Sequence, residues 1–212
     1  MDFSESSIRK NCPHCDSNSF ALKYPLKETS NFWIVCDVHP LTRGHVLIIP
    51  KKHYSCIGEY PDEIFNEFCN LYTLVSDFLE KSYGSVSSFE HGKMGQTVYH
   101  SHVQMFPYCG SNKIIIPEGD SFISIINDFK DLIKIFQKDG SYLFFSIGLH
   151  KWVVDTKIGK PRFFRDRFAK ALSSPTRGNW KEMHNNAAIM VEAMKEIYEL
   201  KATWEKYTPQ SI

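Results

Sequence analysis

The stretch Gly95-Gln-Thr-Val-Tyr-His-Ser-His-Val-Gln-Met-Phe-Pro107 carries more structural information than any other part of this chain. Its composition predicts a β-strand over residues 98–106. Because side chains two positions apart share a face of a strand, His100, His102 and Gln104 are predicted to line up on one face. A row of polar groups on an otherwise apolar strand is costly to bury unless the groups are partnered or functional. The alternative is a solvated strand face that happens to carry histidines.

The sequence before this strand predicts an α+β fold. Apolar side chains recur at helical spacing after Pro61, whereas the other segments are short, β-rich and separated by turn residues. The predicted strands are 31–36, 45–50, 85–90 and 98–106, and the predicted helix is 61–81. This order indicates an antiparallel sheet with one helix packed on it.

The pattern becomes mixed and mainly helical after Pro107. The segments predicted there are an amphipathic helix at 122–137, a strand at 142–147, a basic helix at 161–172 and a closing helix from 179 to about 204. We therefore divide the chain into a first domain at 1–110 and a C-terminal extension at 111–212 that packs on it. No internal repeat is visible in the sequence.

Composition excludes several classes of protein. Hydrophobic residues make up 42% and aromatic residues 14% of the 212 positions, which excludes global disorder. A net charge of +1 disfavours a protein that binds nucleic acid mainly through phosphates. The longest strongly apolar run, at 46–50, is too short to span a membrane, and residues 1–20 lack the apolar stretch of a signal peptide. A cytoplasmic location is expected.

The pair Cys12-Pro-His-Cys15 has the spacing of a structural zinc site. Six cysteines are too few for a disulfide scaffold at this length, so in a reducing compartment the pair is expected to bind a metal or to be a redox pair or two free thiols. No second Cys-x-x-Cys follows, so the remaining metal ligands are expected to be histidines. His14 lies inside the loop that the cysteines close and is poorly placed as a ligand.

Two separate strings resemble the histidine-triad (HIT) superfamily. They are Gly44-His-Val-Leu-Ile-Ile-Pro-Lys-Lys-His53 and Gly95-Gln-Thr-Val-Tyr-His-Ser-His-Val-Gln104, and they occur with the intervening helix in the order and spacing of that superfamily. The resemblance covers about residues 12–108. It implies a nucleotide-binding catalytic domain in which the central histidine, His102, attacks an α-phosphorus and forms a covalent nucleotidyl-histidine. The implied activity is that of a nucleotidyl transferase or hydrolase.

The resemblance also implies a zinc ligand set. In zinc-bearing members the two remaining ligands come from the Pro-Lys-Lys-His position and from the first histidine of the triad strand. These residues are His53 and His100, which would complete a structural Zn²⁺ site with Cys12 and Cys15. A zinc-bound His100 would hold its neighbour His102 in register for attack.

Substrate contacts are expected from the loops around the strand. The resemblance implies that Asp37 holds the ribose hydroxyls and that His45 lies near the nucleotide. Gly95 permits a close backbone approach to a phosphate, and Gln96 and Thr97 bring hydrogen-bond donors. Without the family context, the loop 95–97 is an ordinary turn and Asp37 is a loop-capping residue.

Gln104 departs from the hydrolase branches, which have a third histidine at this position. A glutamine amide donates and accepts hydrogen bonds but supplies no titrating proton, so the leaving group is expected to be a stable anion such as a phosphate or sugar phosphate. Phosphoramidate hydrolysis is accordingly disfavoured. The pattern His-x-His-x-Gln resembles the branch of galactose-1-phosphate uridylyltransferase and diadenosine tetraphosphate phosphorylase. It implies a nucleotide-sugar or dinucleoside polyphosphate substrate.

The segment 160–172, together with 175–180, more loosely resembles the C-terminal region of CwfJ proteins. Arg162 and Arg165 share a face of the predicted helix, and the resemblance implies that Arg165, together with Arg162, reaches over the site to bind a phosphate or leaving group. The alternative is a surface helix with solvated arginines.

Two other functions remain open at this point. One is an RNA-processing or RNA-binding module of the CwfJ kind, which the basic segment 160–167 favours and the near-neutral charge disfavours. The other is a non-catalytic nucleotide sensor. The oligomeric state is also undecided. HIT domains are often dimeric, which favours a homodimer, but the C-terminal extension is an alternative occupant of the dimer surface.

Overall fold

The structure, a computed structural model, describes residues 8–207. The sequence-based domain ranges and the interpretation of residues 1–20 extend into residues 1–7 and 208–212, which lie outside the described part. The strands are β1 (Pro25–Glu28), β2 (Phe32–Cys36), β3 (Val46–Pro50), β4 (Ser87–Glu90), β5 (Val103–Phe106), β6 (Ile123–Ile126), β7 (Leu143–Ile147) and β8 (His150–Val154). The helices are α1 (Asp62–Tyr83), α2 (Asn112–Ile115), α3 (Lys130–Asp139), α4 (Phe163–Ala171), α5 (Trp180–His184) and α6 (Ala187–Lys206).

One sheet of eight antiparallel-paired strands joins both halves of the chain, in the order β1-β2-β3-β5-β4-β7-β8-β6. The α+β prediction is confirmed. Helix α1 begins with acidic residues in its first turn and ends at Gly84, whose φ of 81° gives the left-handed C-cap that glycine adopts without strain. Among residues 8–207, none of the helices combines the length and hydropathy needed to cross a bilayer.

The predicted strand at 98–106 is wrong in its first half. Strand β5 starts only at Val103, and residues 97–102 run as bends and irregular chain. Local bonds replace the strand ladder there, because the His100 N–H donates to Val98 O at 2.9 Å and the Ser101 N–H donates to Tyr54 O at 2.6 Å. The three polar side chains therefore do not share one strand face.

The C-terminal predictions also need correction. The predicted helix at 122–137 begins as strand β6, because its isoleucine-rich start pairs with β8, a strand that the sequence did not indicate. The predicted helix at 179–204 is two helices, with a break at which the Asn186 side chain accepts from Ile189 N–H and caps α6. Strand β1 was missed as well.

The C-terminal half repeats the connectivity of the first half. The unit β3-α1-β4-β5 is followed by β6-α3-β7-β8, so β3, β4 and β5 correspond to β6, β7 and β8. In the sheet these strands lie in the order β3-β5-β4-β7-β8-β6, with each strand of the second unit at the mirror-image position of its counterpart. The two units meet where β4 and β7 pair antiparallel, so β4 is not an edge strand. The sequence showed no repeat, so this repeat is visible only in the topology.

The two faces of the sheet have separate hydrophobic cores. On one face α1, α3 and α6 cover the sheet, with Phe68, Phe129 and Ile197 in one cluster. On the other face α4 packs through Phe164 and Phe168 against β4, β5 and β7. Helix α4 therefore lies on the same side of the sheet as Gln104 and brings the C-terminal extension to that surface.

Candidate functional site

A pocket of about 220 Å³ lies beside β5 on the face that carries α4. Its lining includes the aromatic and apolar side chains of Phe20, Val38, Leu47 and Trp180. It also includes the polar side chains of His14, Asp37, His39, Thr97, His102, Gln104 and Arg165, and the His39 ring lies 6.1 Å from that of Phe20 and 5.7 Å from that of Trp180. Trp180 and Arg165 come from the C-terminal extension, so the pocket is formed by both halves of the chain.

His102 lines this pocket, and its tautomer is set by a backbone carbonyl. Its Nδ1 lies 2.7 Å from the carbonyl oxygen of His100. Because a carbonyl only accepts, Nδ1 carries the hydrogen and donates it, and the lone pair is left on Nε2. Burial lowers the pKa of His102, which favours the neutral imidazole that a nucleophile requires.

Arg165 connects the extension to the polar part of the pocket. Its Nη1 donates to Gln104 Oε1 at 3.0 Å and to Asp37 Oδ2 at 2.8 Å, and its Nη2 donates to His39 O at 2.6 Å. A guanidinium only donates, so Gln104 must turn its oxygen toward Arg165 and its NH₂ group away from it. The arginine thereby fixes which end of the Gln104 amide can serve as a donor.

Asp37 lies in the pocket, but both of its oxygens already have partners. Oδ2 receives Arg165, and Oδ1 accepts from His39 N–H at 2.9 Å. Burial by itself raises the pKa of Asp37, but the charge of Arg165 and the hydrogen bonds from Arg165 and the His39 N–H outweigh it and hold the pKa at about 2. Because this pKa lies below the unfolded value of about 3.9, the stability from the pair is present above that pH and is lost as the pH falls toward 2.

Several predicted substrate contacts lie outside the pocket. The His45 Nδ1 accepts from Leu41 N–H at 2.9 Å, and burial lowers the pKa of His45 to about 3, so His45 is a neutral buried residue next to Asp37. Gln96 donates to Ser55 O at 2.7 Å. Gly95 has a φ of 74°, and a Cβ there would collide with the Lys160 carbonyl oxygen, so its contact is with the extension.

Arg162 differs from its prediction. It is the N-cap of α4 with a left-handed φ of 60°, so it does not share a helix face with Arg165. Its Nε lies 3.3 Å from Asp166 Oδ1, and it is absent from the pocket lining. Of the loop 95–97, only Thr97 lines the pocket.

Cys12, Cys15, His53 and His100 converge beside the pocket, and their ligand atoms all lie within 4.8 Å of one another. The distance is 3.4 Å from Cys12 Sγ to His100 Nδ1, from Cys15 Sγ to His100 Nδ1 and from Cys15 Sγ to His53 Nδ1. Bonds of about 2.0–2.3 Å to a tetrahedral zinc separate neighbouring ligands by about 3.5 Å. His100 Nε2 donates to Pro50 O at 2.8 Å, which leaves the Nδ1 lone pair for a metal. The donor set fits zinc.

Glu90 is a buried carboxylic acid that the sequence analysis did not single out. Its oxygens accept from Ser101 Oγ at 2.7 Å, from Ile57 N–H at 3.1 Å and from the Tyr142 hydroxyl. Burial raises the pKa of Glu90 to about 7. Since Ser101 lies between His100 and His102, the network supports the segment that carries both histidines. The available signal was an acidic residue at the end of the predicted strand 85–90.

We predict that the Arg165–Asp37 pair is energetically coupled. Arg165→Met leaves the Asp37 carboxylate buried without its cation, which is expected to cost about 3–5 kcal/mol of unfolding free energy. Adding Asp37→Asn removes the unpaired charge and should recover part of that loss. Urea denaturation of the two single variants and the double variant at neutral pH measures the coupling. Strictly additive losses would contradict it.

Comparison with known proteins gives one family. Residues 25–108 match the sequence model of the HIT domain. The chain is 32% identical over 110 residues to adenylylsulfatase HINT3 of Arabidopsis thaliana, a match that covers 48% of this chain and 54% of the relative. It is 36% identical over 67 residues to adenosine 5′-monophosphoramidase HINT3 of Danio rerio, covering 30% of this chain and 42% of the relative. The chain thus spans about half the length of these curated relatives.

A solved structure is also similar. The crystal structure of a Zn-bound histidine triad family protein from Mycobacterium smegmatis has 26% identity and a TM-score of 0.41, and the match covers 49% of this chain and 78% of that one.

Proposed function

The chain contains a HIT domain at residues 25–108, and from this premise we propose that it is a nucleotidyl transferase or hydrolase with His102 as the nucleophile. The observation that carries the proposal is the His102 tautomer. The bond from Nδ1 to the His100 carbonyl leaves the lone pair on Nε2, in a pocket whose lining combines aromatic and polar side chains. Such a lining suits the base and the phosphate of a nucleotide.

The proposed reaction has two steps. His102 Nε2 forms a bond to the α-phosphorus, and the bond from phosphorus to the leaving group breaks, with the electron pair going to the leaving group. Phosphate, a sugar phosphate or water then attacks the nucleotidyl-histidine and regenerates the imidazole. Phe20 and Trp180 are proposed to contact the base, and Thr97 and the Gln104 NH₂ are proposed to donate to the phosphate.

The leaving group is proposed to be a stable anion. Gln104 supplies no proton, and Arg165 holds its oxygen, so the amide acts only as a donor to the phosphoryl group. A phosphate or a sugar phosphate meets this requirement, as in the His-x-His-x-Gln branch to which we assign the chain. Sulfate meets it as well, and the name of the Arabidopsis relative denotes an adenylyl sulfate. The name of the Danio relative denotes a phosphoramidate, whose amine leaving group would need a proton.

We further propose that Cys12, Cys15, His53 and His100 hold a structural Zn²⁺. A bound zinc would supply a fixed, closed tetrahedral centre and no reacting group. His100 would then be held by the metal, and its carbonyl oxygen sets the tautomer of His102. The extension at 111–212 is proposed to complete the site through Trp180 and through Arg165, which holds the Gln104 oxygen. The CwfJ resemblance implied a phosphate or leaving-group contact for Arg165 instead.

Intact-protein mass spectrometry tests the proposed function. The protein is mixed at neutral pH with adenylyl sulfate, adenosine 5′-phosphoramidate, diadenosine tetraphosphate, UDP-glucose and ADP in separate samples. An acid-labile adduct with the mass of a nucleoside monophosphate is expected, and that mass identifies the base. Tight nucleotide binding without adduct or turnover would indicate a sensor, and salt-sensitive binding of short RNA without either would indicate an RNA-binding module.

A further inference from the structure

We propose that His14 is a further catalytic residue, whose ring N–H donates a hydrogen bond to an oxygen of the phosphoryl group that His102 attacks. This inference rests on the proposed function, because it assigns a second imidazole to the same pocket. His14 lies between Cys12 and Cys15, in the segment 12–15 that we call the metal loop, and it is poorly placed as a metal ligand itself.

The position of His14 carries the argument. Its ring centroid lies 5.0 Å from that of His102, with the rings inclined by 71°, and 5.4 Å from that of His100. Both His14 and His102 line the pocket. A phosphoryl group bound at His102 Nε2 would therefore lie within reach of the His14 ring.

His14 is also a polar side chain without an evident structural purpose. It is only 5% exposed, and its Nδ1 is buried without a hydrogen-bond partner among the described residues. Buried polar groups are normally paired, and an unpaired one costs about 1–3 kcal/mol. A group kept at that cost, beside the nucleophile and on the wall of the pocket, is suited to a ligand that pairs with it when bound.

The metal loop accounts for the rigidity of this residue. The Cys15 N–H donates to Cys12 O at 3.0 Å and closes a tight turn around Pro13 and His14. The two cysteine sulfurs on either side of the turn both lie near His100. The backbone of His14 is therefore fixed from both sides, while its ring packs against the two histidines of the segment before β5.

The chemistry requires no change in protonation of His14. An imidazole has at least one N–H in either protonation state, so it can donate without giving up its proton. Negative charge on a transferring phosphoryl group spreads over its non-bridging oxygens, and fixed donors around them stabilise the transition state. His14 would act in this way alongside the Gln104 NH₂, while His102 forms the bond to phosphorus and the leaving group takes the electron pair.

The test compares His14→Phe with His14→Gln. Phenylalanine keeps a flat ring to pack against His100 and His102 but removes the donor, whereas glutamine restores an N–H at a similar reach. The rate of adduct formation on His102 is measured by rapid quench with adenylyl sulfate, or with the member of the substrate panel that labels the wild type. Zinc content and equilibrium nucleotide affinity are measured on the same samples, and exposed His150→Phe is the matched control.

We expect the phenylalanine variant to form the adduct about 10²–10³-fold more slowly, the effect typical of losing one fixed donor to a transition state. Zinc content should not change, and the glutamine variant should recover part of the rate. Adduct formation at the wild-type rate, or loss of zinc from the phenylalanine variant, would overturn the role of His14 but not that of His102. Absence of any adduct on the wild type would overturn the proposed function and this inference with it.

Discussion

Replacing His102 by alanine is expected to abolish the nucleotidyl adduct and to lower turnover by about 10⁴–10⁶-fold, the range seen when a catalytic nucleophile is removed. The reason is geometric and electronic. The His100 carbonyl fixes the imidazole hydrogen of His102 on Nδ1, so the lone pair is on Nε2. The His102 side chain lines the pocket. Alanine keeps the backbone and removes this nitrogen. Turnover is measured as release of the nucleoside monophosphate, and the adduct is measured by intact mass.

Two controls separate loss of the nucleophile from loss of the fold. His102→Gly leaves a space beside His14 that exogenous imidazole can enter, so added imidazole should restore part of the turnover. Zinc content and thermal midpoint should match the wild type in both variants, because the His102 side chain is not among the predicted metal ligands. If His102→Ala still formed an acid-labile adduct, another residue would be the nucleophile.

The second large effect is expected at the metal cluster. Cys15→Ser should lose the metal, because the serine hydroxyl is a poor zinc ligand and Cys15 lies near both His53 and His100. Structural zinc contributes about 10–16 kcal/mol in isolated zinc-finger peptides. If about 4 kcal/mol of this is realised here, the midpoint falls by about 8–16 °C for a chain of this size. Adduct formation should also slow, because loss of the metal would release His100, whose carbonyl oxygen sets the tautomer of His102.

Scanning calorimetry with and without a chelator measures this loss, and metal analysis gives the zinc content per chain. Cys109→Ser is the matched control, because Cys109 is an exposed cysteine outside the cluster. The chelator should lower the midpoint of the wild type and of Cys109→Ser but should not lower that of Cys15→Ser further. A purified wild type without zinc, with a midpoint that the chelator does not change, would contradict the predicted site.

Local signals in the sequence were sufficient where an element is defined by its own residues. Helix α1 has a proline before it, acidic residues in its first turn and a glycine after it, and it forms where the spacing predicts. Strands β2 and β3 are apolar runs bounded by turn residues, and both form. The four metal-ligand candidates were predicted from spacing and family resemblance, and the structure brings their ligand atoms together.

The sequence predictions failed where a distant partner decides the conformation. Residues 123–126 have the spacing of a helix but form a strand, because β8 provides backbone partners for them. Residues 98–102 have the composition of a strand, but their backbone bonds go to the loop at Tyr54 and to each other. Arg162 was expected inside the helix predicted at 161–172, but it is the N-cap residue of α4, which begins at Phe163.

The sequence by itself therefore determined the α+β fold class, and it predicted a histidine nucleophile, a glutamine in place of a proton donor and a Cys–His metal set. Only the tertiary structure placed Trp180 and His14 in the pocket of His102, and it brought Arg165, which the CwfJ resemblance had implied, to Gln104. Arg165, Trp180 and His14 reach the pocket because β7 pairs with β4, α4 packs on the face of Gln104, and the metal loop folds back over the histidines. Each of these contacts joins residues far apart in the chain, and no local pattern of residues encodes such a pairing.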